Sequence, residues 1–79
     1  VVDDEQNIRE LIKSYLQKEG YEVSVFADGA SAFDKFISEP ADMLIIDIMM
    51  PGMDGYTLCK EIRKTSEVPI IMVSAKDDE

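Results

Sequence analysis

The sequence predicts an α/β fold with a doubly wound parallel sheet. Apolar runs of strand length alternate with amphipathic helical patterns along its 79 residues. The run "MLIID" (43–47) is aliphatic up to its last residue, as expected of a central parallel strand covered on both faces. Such alternation implies βαβ units with right-handed crossovers. The length predicts one small domain, residues 1–79, with no second domain.

Four strand segments are predicted. They are the opening "VV", the alternating "YEVSVF" (21–26), "MLIID", and "PIIMVSA" (69–75). The alternation in "YEVSVF" is typical of an edge strand with one wetter face. The remaining apolar runs are continuous, which indicates burial on both faces of the sheet.

Three helical patterns separate these strands. Apolar residues recur at helical spacing from Gln6 to Glu19, and Gly20 follows where a helix C-terminus is expected. A second helix is predicted after Asp28, ending before Pro40. Its apolar positions are Ala30, Phe33, Phe36 and Ile37. After the turn at Pro51–Gly52 and Asp54–Gly55, a third helix is predicted from Tyr56 to Lys64.

The composition limits the function classes. With 46% hydrophobic and 32% charged residues, the chain has the balance of a folded domain. The net charge of −9 argues against direct binding to nucleic acid or to anionic lipid. Cys59 is the only cysteine, so no intrachain disulfide can form. With neither a signal-peptide pattern nor an apolar run of membrane-spanning length, the sequence predicts a cytoplasmic protein.

Polar residues follow the predicted strands at the point where each strand ends. They are Asp3, Asp4, Asp47 and Ser74. Ligands of open α/β sheets bind beyond the carboxyl ends of the strands, so these residues are expected to converge on one pocket. Crowded carboxylates repel one another unless a cation lies among them, and all-oxygen ligands suit Mg²⁺. The sequence therefore predicts a magnesium site.

Simpler interpretations exist for each motif taken alone. Asp3 and Asp4 could act only as helix-capping residues, and Asp47 could be a turn residue. A serine after a strand, such as Ser74, is commonly a turn or capping residue. Capping explains the acidic pair but not Asp47, so the joint placement of the motifs favours a site.

The motifs "VVDDE", "LIIDIMMPGMDG" and "PIIMVSA", in this order and spacing, resemble the receiver domain of two-component response regulators. The resemblance implies a flavodoxin-like sheet of order 2-1-3-4-5, truncated here after the fourth strand. It also implies a phosphorelay signalling module that is not an enzyme, apart from assisting its own phosphorylation and dephosphorylation. Asp47 would be the phosphoacceptor, taking its phosphoryl group from a sensor histidine kinase.

The same resemblance implies the remaining site roles. Asp4 and Asp47 would bind Mg²⁺ directly, and the Met49 backbone carbonyl would be a third ligand. Asp3 would act through a bound water. The Ser74 hydroxyl is the switch group of the family, and with the Ala75 backbone N–H it would contact a phosphoryl oxygen on Asp47.

The sequence departs from the family after its last predicted strand. The further helix, strand and helix of the family, with their site lysine, have no counterpart in it, so the domain is expected to be incomplete at both ends. Without a fifth strand, "PIIMV" becomes an exposed edge, which predicts a homodimer or a strand-exchanged oligomer. The start of the third helix, Asp54-Gly55-Tyr56, and the stretch "SEVPIIMVSAKDDE" are similar to the corresponding sequences of receivers attached to winged-helix transcription factors. That similarity implies a DNA-binding output domain as a further partner.

Two alternatives stay open. A Mg²⁺-dependent phosphatase or phosphotransferase with an aspartyl nucleophile needs an acid/base carboxylate two residues after it, where this sequence has Met49. A pseudo-receiver that only docks other proteins would need no phosphoryl chemistry. The complete set of Asp3, Asp4, Asp47 and Ser74 argues against it, whereas the missing lysine favours it.

Overall fold

The computed structural model describes residues 1–73, which form three helices around a short parallel sheet. In chain order the elements are α1 (Gln6–Lys18), α2 (Gly29–Ser38), β1 (Leu44–Asp47), α3 (Gly55–Arg63) and β2 (Ile70–Val73). Helices alternate with strand segments, and the predicted α/β class is confirmed.

The sheet is parallel throughout. β1 and β2 pair in parallel along their whole lengths. On the other side of β1, Val2 forms parallel bridges with both Ile46 and Phe26. The spatial order is therefore Phe26, Val2, β1, β2, which is the order 2-1-3-4 of a flavodoxin-like sheet. This order places the end of β1 beside the residues that follow Val2.

The predicted strand at residues 21–26 is wrong for all but its last residue. Phe26 N–H donates to the Val1 carbonyl at 2.9 Å, and Asp3 N–H donates to the Phe26 carbonyl at 3.0 Å. The Val1 amino group also donates to the Ser24 carbonyl at 2.8 Å, but only Phe26 forms a bridge. Within the described residues, 21–25 therefore lack the ladder that would make them a strand. The opening "VV" is likewise reduced to the bridges at Val2.

One hydrophobic core lies between the sheet and the pair α2 and α3. Its buried side chains are Val2, Ala32, Phe36, Leu44, Ile46, Met50, Leu58, Ile62 and Val68. Leu58 and Ile62 are four residues apart on α3, so they lie one above the other on the face that meets the sheet. Ile46 and Leu58 are completely inaccessible to solvent. This core fixes β1 and the start of α3 relative to each other.

The apolar face predicted for α2 is partly wrong. Ala30 is exposed and Ile37 is 54% exposed, whereas Phe36 is buried as predicted, together with Gly29 and Ala32. Ala32 and Phe36 are one turn apart, so the helix presents a small and a large side chain together to the core. Apolar residues occur around most of this helix, and packing decides which of them are buried.

Helix α1 ends where the sequence predicts. Gly20 follows it with a φ of 96°, a left-handed conformation that favours glycine. The Tyr21 N–H donates back to the Leu16 carbonyl at 3.1 Å. The helix nevertheless has no buried residue, and Leu11 is 66% exposed and Tyr15 67% exposed. Its predicted apolar face is therefore only half covered by the described residues.

The outer strand β2 is also incompletely covered. Ile71 is 49% exposed, and the remaining residues of β2 are half-buried. The self-association expected from this edge stays a prediction. None of the helices described in residues 1–73 is long and apolar enough to cross a membrane.

Candidate functional site

Three carboxylates meet at one edge of the sheet. Asp3, Asp4 and Asp47 each offer an oxygen, and these oxygens lie within 4.8 Å of one another. The bridge between Val2 and Ile46 produces this meeting, because it sets the residues that follow Val2 beside the end of β1. The structure thus brings together the three acidic residues singled out in the sequence. Ser74 and Ala75 lie outside the described residues.

Asp47 is held by the backbone on both sides. It is only 2% exposed, and its N–H donates to the Val2 carbonyl at 2.8 Å. One carboxylate oxygen, Oδ1, accepts the Met49 N–H at 3.2 Å. The next residue, Ile48, donates its N–H to the Val73 carbonyl at 2.9 Å. A charged group is therefore carried to the end of a buried strand with its position fixed by hydrogen bonds.

The other two carboxylates differ in exposure. Asp3 is 3% exposed, and its Oδ1 accepts the Glu5 N–H at 2.9 Å. Asp4 is exposed to solvent. The site thus has two buried walls and one open side, which is the arrangement needed for a group that must exchange with solvent.

The loop from β1 to α3 closes tightly over the Asp47 backbone. Gly55 N–H donates to the Ile48 carbonyl at 3.0 Å. A Cβ at position 55 would overlap the Asp47 carbonyl oxygen and lie 2.7 Å from Ile48 Cα. Asp54 caps α3 by accepting the Thr57 N–H at 2.8 Å, and this hydrogen bond lowers the pKa of the Asp54 carboxyl. Glycine is thus required where the helix begins, directly behind the site.

The acidic residues fit a hard divalent cation. Three carboxylates this close repel one another, and two of them are removed from water, so a cation among them is favoured. Their donors are all oxygen, the ligand type that Mg²⁺ prefers. Opposite ligands of octahedral Mg²⁺ are about 4.2 Å apart. The observed spacing therefore suits one ion bound partly by carboxylates and partly through water.

One contact of the site was not foreseen from the sequence. Arg9 Nη1 donates to the Asp3 carbonyl oxygen at 2.7 Å. An arginine one turn into the helix that follows an acidic pair is the only sequence signal for it. That signal is weak, because an exposed arginine is equally common on a solvated helix face.

The chain belongs to the response regulator receiver domain family, which it matches over residues 1–79. The receiver domain is a signalling domain of two-component systems. The prediction made from the three motifs is therefore confirmed at the level of family and fold.

Solved structures agree with this assignment. The response regulator TrrA of Thermotoga maritima, in complex with Mg²⁺ and BeF, is 47% identical, with a TM-score of 0.89 over 96% of this chain and 67% of that one. The Vibrio cholerae chemotaxis protein CheY4 is 36% identical, with a TM-score of 0.90 over 98% and 67% of the two chains. The BeF3-activated receiver domain of Klebsiella pneumoniae RstA is 35% identical, with a TM-score of 0.89 over 99% and 67%. This chain spans about two thirds of each.

Proposed function

We propose that Asp47 accepts a phosphoryl group from the phosphohistidine of a sensor histidine kinase and thereby switches the interactions of the protein. The observation that carries the proposal is a 2% exposed carboxylate at a strand end, with two further carboxylate oxygens within 4.8 Å. One oxygen of Asp47 attacks phosphorus, the P–N bond to the imidazole breaks, and the ring nitrogen keeps the electron pair. An aspartyl phosphate and a free histidine result.

Mg²⁺ is the proposed cofactor, and it would neutralise charge on the transferring phosphoryl group. Asp4 and Asp47 are proposed as direct ligands, Asp3 as a ligand through water, and the Met49 carbonyl as a further ligand. The TrrA complex with Mg²⁺ and BeF supports this assignment by family relationship. In this chain the tight turn at Gly52, with a φ of 73°, shapes the loop that carries Met49.

The switch is proposed to involve Ser74 and Ala75, whose hydroxyl and N–H would contact the phosphoryl group. These contacts would pull the segment that follows β2 toward the site, and a partner would recognise the changed position of that segment. The proposed partners are the kinase and an output domain that binds DNA, consistent with a role in transcription regulation inside the cytoplasm. The net charge of −9 makes direct DNA binding by these residues unfavourable.

The phosphatase alternative finds no support in the site. The residue two positions after Asp47 is Met49, whose side chain is 55% exposed and carries no acid or base. Its backbone N–H instead donates to the carboxylate of Asp47. The geometry therefore favours Asp47 as a phosphoacceptor that keeps its phosphoryl group over Asp47 as the nucleophile of a phosphatase with repeated turnover.

The first test replaces the proposed phosphoacceptor. Asp47→Asn should abolish phosphoryl uptake from a phosphorylated histidine kinase or from acetyl phosphate, as read by intact mass spectrometry. The fold should be retained or slightly stabilised, because one of three crowded anions is removed. Asp54→Asn is the matched control, because Asp54 lies in the same loop but caps α3, and it should still accept the phosphoryl group.

Two results would contradict the proposal. Phosphoryl uptake by Asp47→Asn at another aspartate would show that the nucleophile is wrong. A folded wild-type chain that gains no phosphoryl group with either donor in Mg²⁺ would favour the docking-module interpretation.

A further inference from the structure

Asp4 is the exposed member of the acidic site, so its position is not set by burial. The peptide unit before it is instead held by a side chain of α1. Arg9 Nη1 donates to the Asp3 carbonyl, which belongs to the peptide bond before Asp4, at 2.7 Å. The peptide unit after Asp4 is held by Asp3, whose Oδ1 accepts the Glu5 N–H at 2.9 Å. The Arg9 side chain thus joins the peptide unit before Asp4 to α1.

This contact matters because the side chains of α1 are at most partly buried. The helix has no buried residue, and its N-cap residue Glu5 makes no side-chain capping hydrogen bond. A guanidinium that donates to a carbonyl in a half-buried position forms a charge-assisted hydrogen bond, which is stronger than a neutral one. The start of α1 and the loop before it are therefore joined mainly by polar contacts.

We propose that Arg9 is a positioning residue that holds Asp4 beside Asp3 and Asp47 for cation binding. The inference rests on the proposed function, since it assigns the control of the same Mg²⁺ site. Arg9 acts through the loop and not on the ion itself. Residues that orient metal ligands without touching the metal commonly change metal affinity by about 10–100-fold when they are replaced.

The sign of the effect separates positioning from plain electrostatics. A positive side chain near a cation site repels the cation, so removing its charge alone should raise the affinity for Mg²⁺. Removing a positioning contact should lower that affinity, because Asp4 becomes mobile. The two roles therefore predict opposite results for the same substitution.

The experiment compares Arg9→Met with Lys13→Met in the full chain. Both substitutions remove one positive charge from the half-buried side of α1 and keep an aliphatic stem, but only Arg9 has the contact with the Asp3 carbonyl. Mg²⁺ affinity is measured by titration with backbone NMR. Arg9→Met should lower this affinity about tenfold or more. Lys13→Met should leave the affinity unchanged or slightly higher.

A second measurement does not depend on the metal. In the Mg²⁺-free protein, ¹⁵N relaxation should show the order parameter of Asp4 falling from about 0.85 to below about 0.6 in Arg9→Met, with no change in Lys13→Met. Arg9→Gln, whose side chain is too short for the contact, provides a second variant if Arg9→Met does not fold, and the same losses are expected.

An Asp4 order parameter that stays at the wild-type value in a folded Arg9 variant would overturn the inference. So would a Mg²⁺ affinity equal to or above that of wild type. Failure of the proposed function is distinguishable, because it appears as a wild-type chain that binds no Mg²⁺. In that case the Asp4 order parameter still decides whether Arg9 holds the loop.

Discussion

The two faces of the sheet are stabilised by different means. On one face, α2 and α3 bury Phe36 and Leu58, and each helix begins with an aspartate whose side chain accepts a backbone N–H. On the other, α1 has no fully buried residue, and its N-cap Glu5 lacks such a hydrogen bond. The α2 and α3 face therefore supplies the stability, while α1 is attached to the site through the polar contact of Arg9.

The difference separates a rigid part of the site from an adjustable part. Asp47 belongs to a strand that is fixed by the core, so its position follows from hydrophobic packing. Asp4 lies on the loop that leads into α1, where hydrogen bonds set the geometry. A site built across this boundary can keep Asp47 fixed while Asp4 adjusts to its surroundings.

The largest expected effect contrasts a leucine on each face. Leu58→Ala should lower the free energy of unfolding by about 2–5 kcal/mol, because Leu58 is fully buried. Leu11→Ala, at a position 66% exposed on α1, should change it by less than about 0.5 kcal/mol. Urea denaturation followed by circular dichroism measures both values. Ile62→Val is the graded variant if Leu58→Ala unfolds the chain, with a loss of about 1 kcal/mol.

Equal losses for the two leucine variants would contradict the comparison. They would show that α1 is covered in solution as well as α3 is.

The next effect contrasts two glycines. Gly55→Ala should cost about 1–3 kcal/mol, because its Cβ would force the backbone of Asp47 and Ile48 to move. Gly20→Ala meets open space but requires a φ of 96°, so it should cost about 1–2 kcal/mol. Although the stability losses are similar, only Gly55→Ala should weaken Mg²⁺ binding and phosphoryl uptake. Equal Mg²⁺ binding and phosphoryl uptake in the two variants would show that the start of α3 does not position Asp47.

The smallest effect concerns the helix caps and acid pH. Asp54→Ala should reduce the urea midpoint, because the Thr57 N–H loses its acceptor, whereas Glu5→Ala should leave it nearly unchanged. The hydrogen bond from Thr57 lowers the pKa of the Asp54 carboxyl in the folded protein. The cap therefore contributes fully above the unfolded-state pKa of about 3.9, and the contribution is lost as the pH falls through the lower folded-state value.

A pH series of urea titrations checks this prediction. Wild type should lose more stability below about pH 4 than Asp54→Ala does, because the variant has already lost the cap. Identical acid sensitivity of the two chains would show that the cap does not contribute.

The sequence was most informative where local chemistry decides the structure. Gly20 and Asp54 mark helix ends through their own conformational and hydrogen-bonding preferences. The carboxylate at the end of an aliphatic strand located Asp47, since parallel strands place their carboxyl ends at one edge. These features depend on a few neighbouring residues, so a single sequence contains them.

Features that depend on distant residues were less predictable. Alternation in residues 21–26 indicated a strand, but a strand also needs a ladder of pairings, and within the described residues only Phe26 of this segment forms a bridge. The buried face of α2 follows from how the helix meets the core, which selects Ala32 over Ala30. The contact of Arg9 depends on one rotamer of a long side chain. Each of these outcomes is decided by packing that the sequence pattern does not contain.

The double bridge at Val2 has a consequence for the order of folding. Val2 lies between Phe26 and β1 in the sheet, yet its partners Phe26 and Ile46 lie far along the chain. Each pairing requires the closure of a long loop before any contact compensates for the lost entropy. During synthesis, Val2 is therefore made before both of its partners and is enclosed late. The acidic site assembles only when β1 reaches Val2, so its three carboxylates meet only after this long-range pairing has formed.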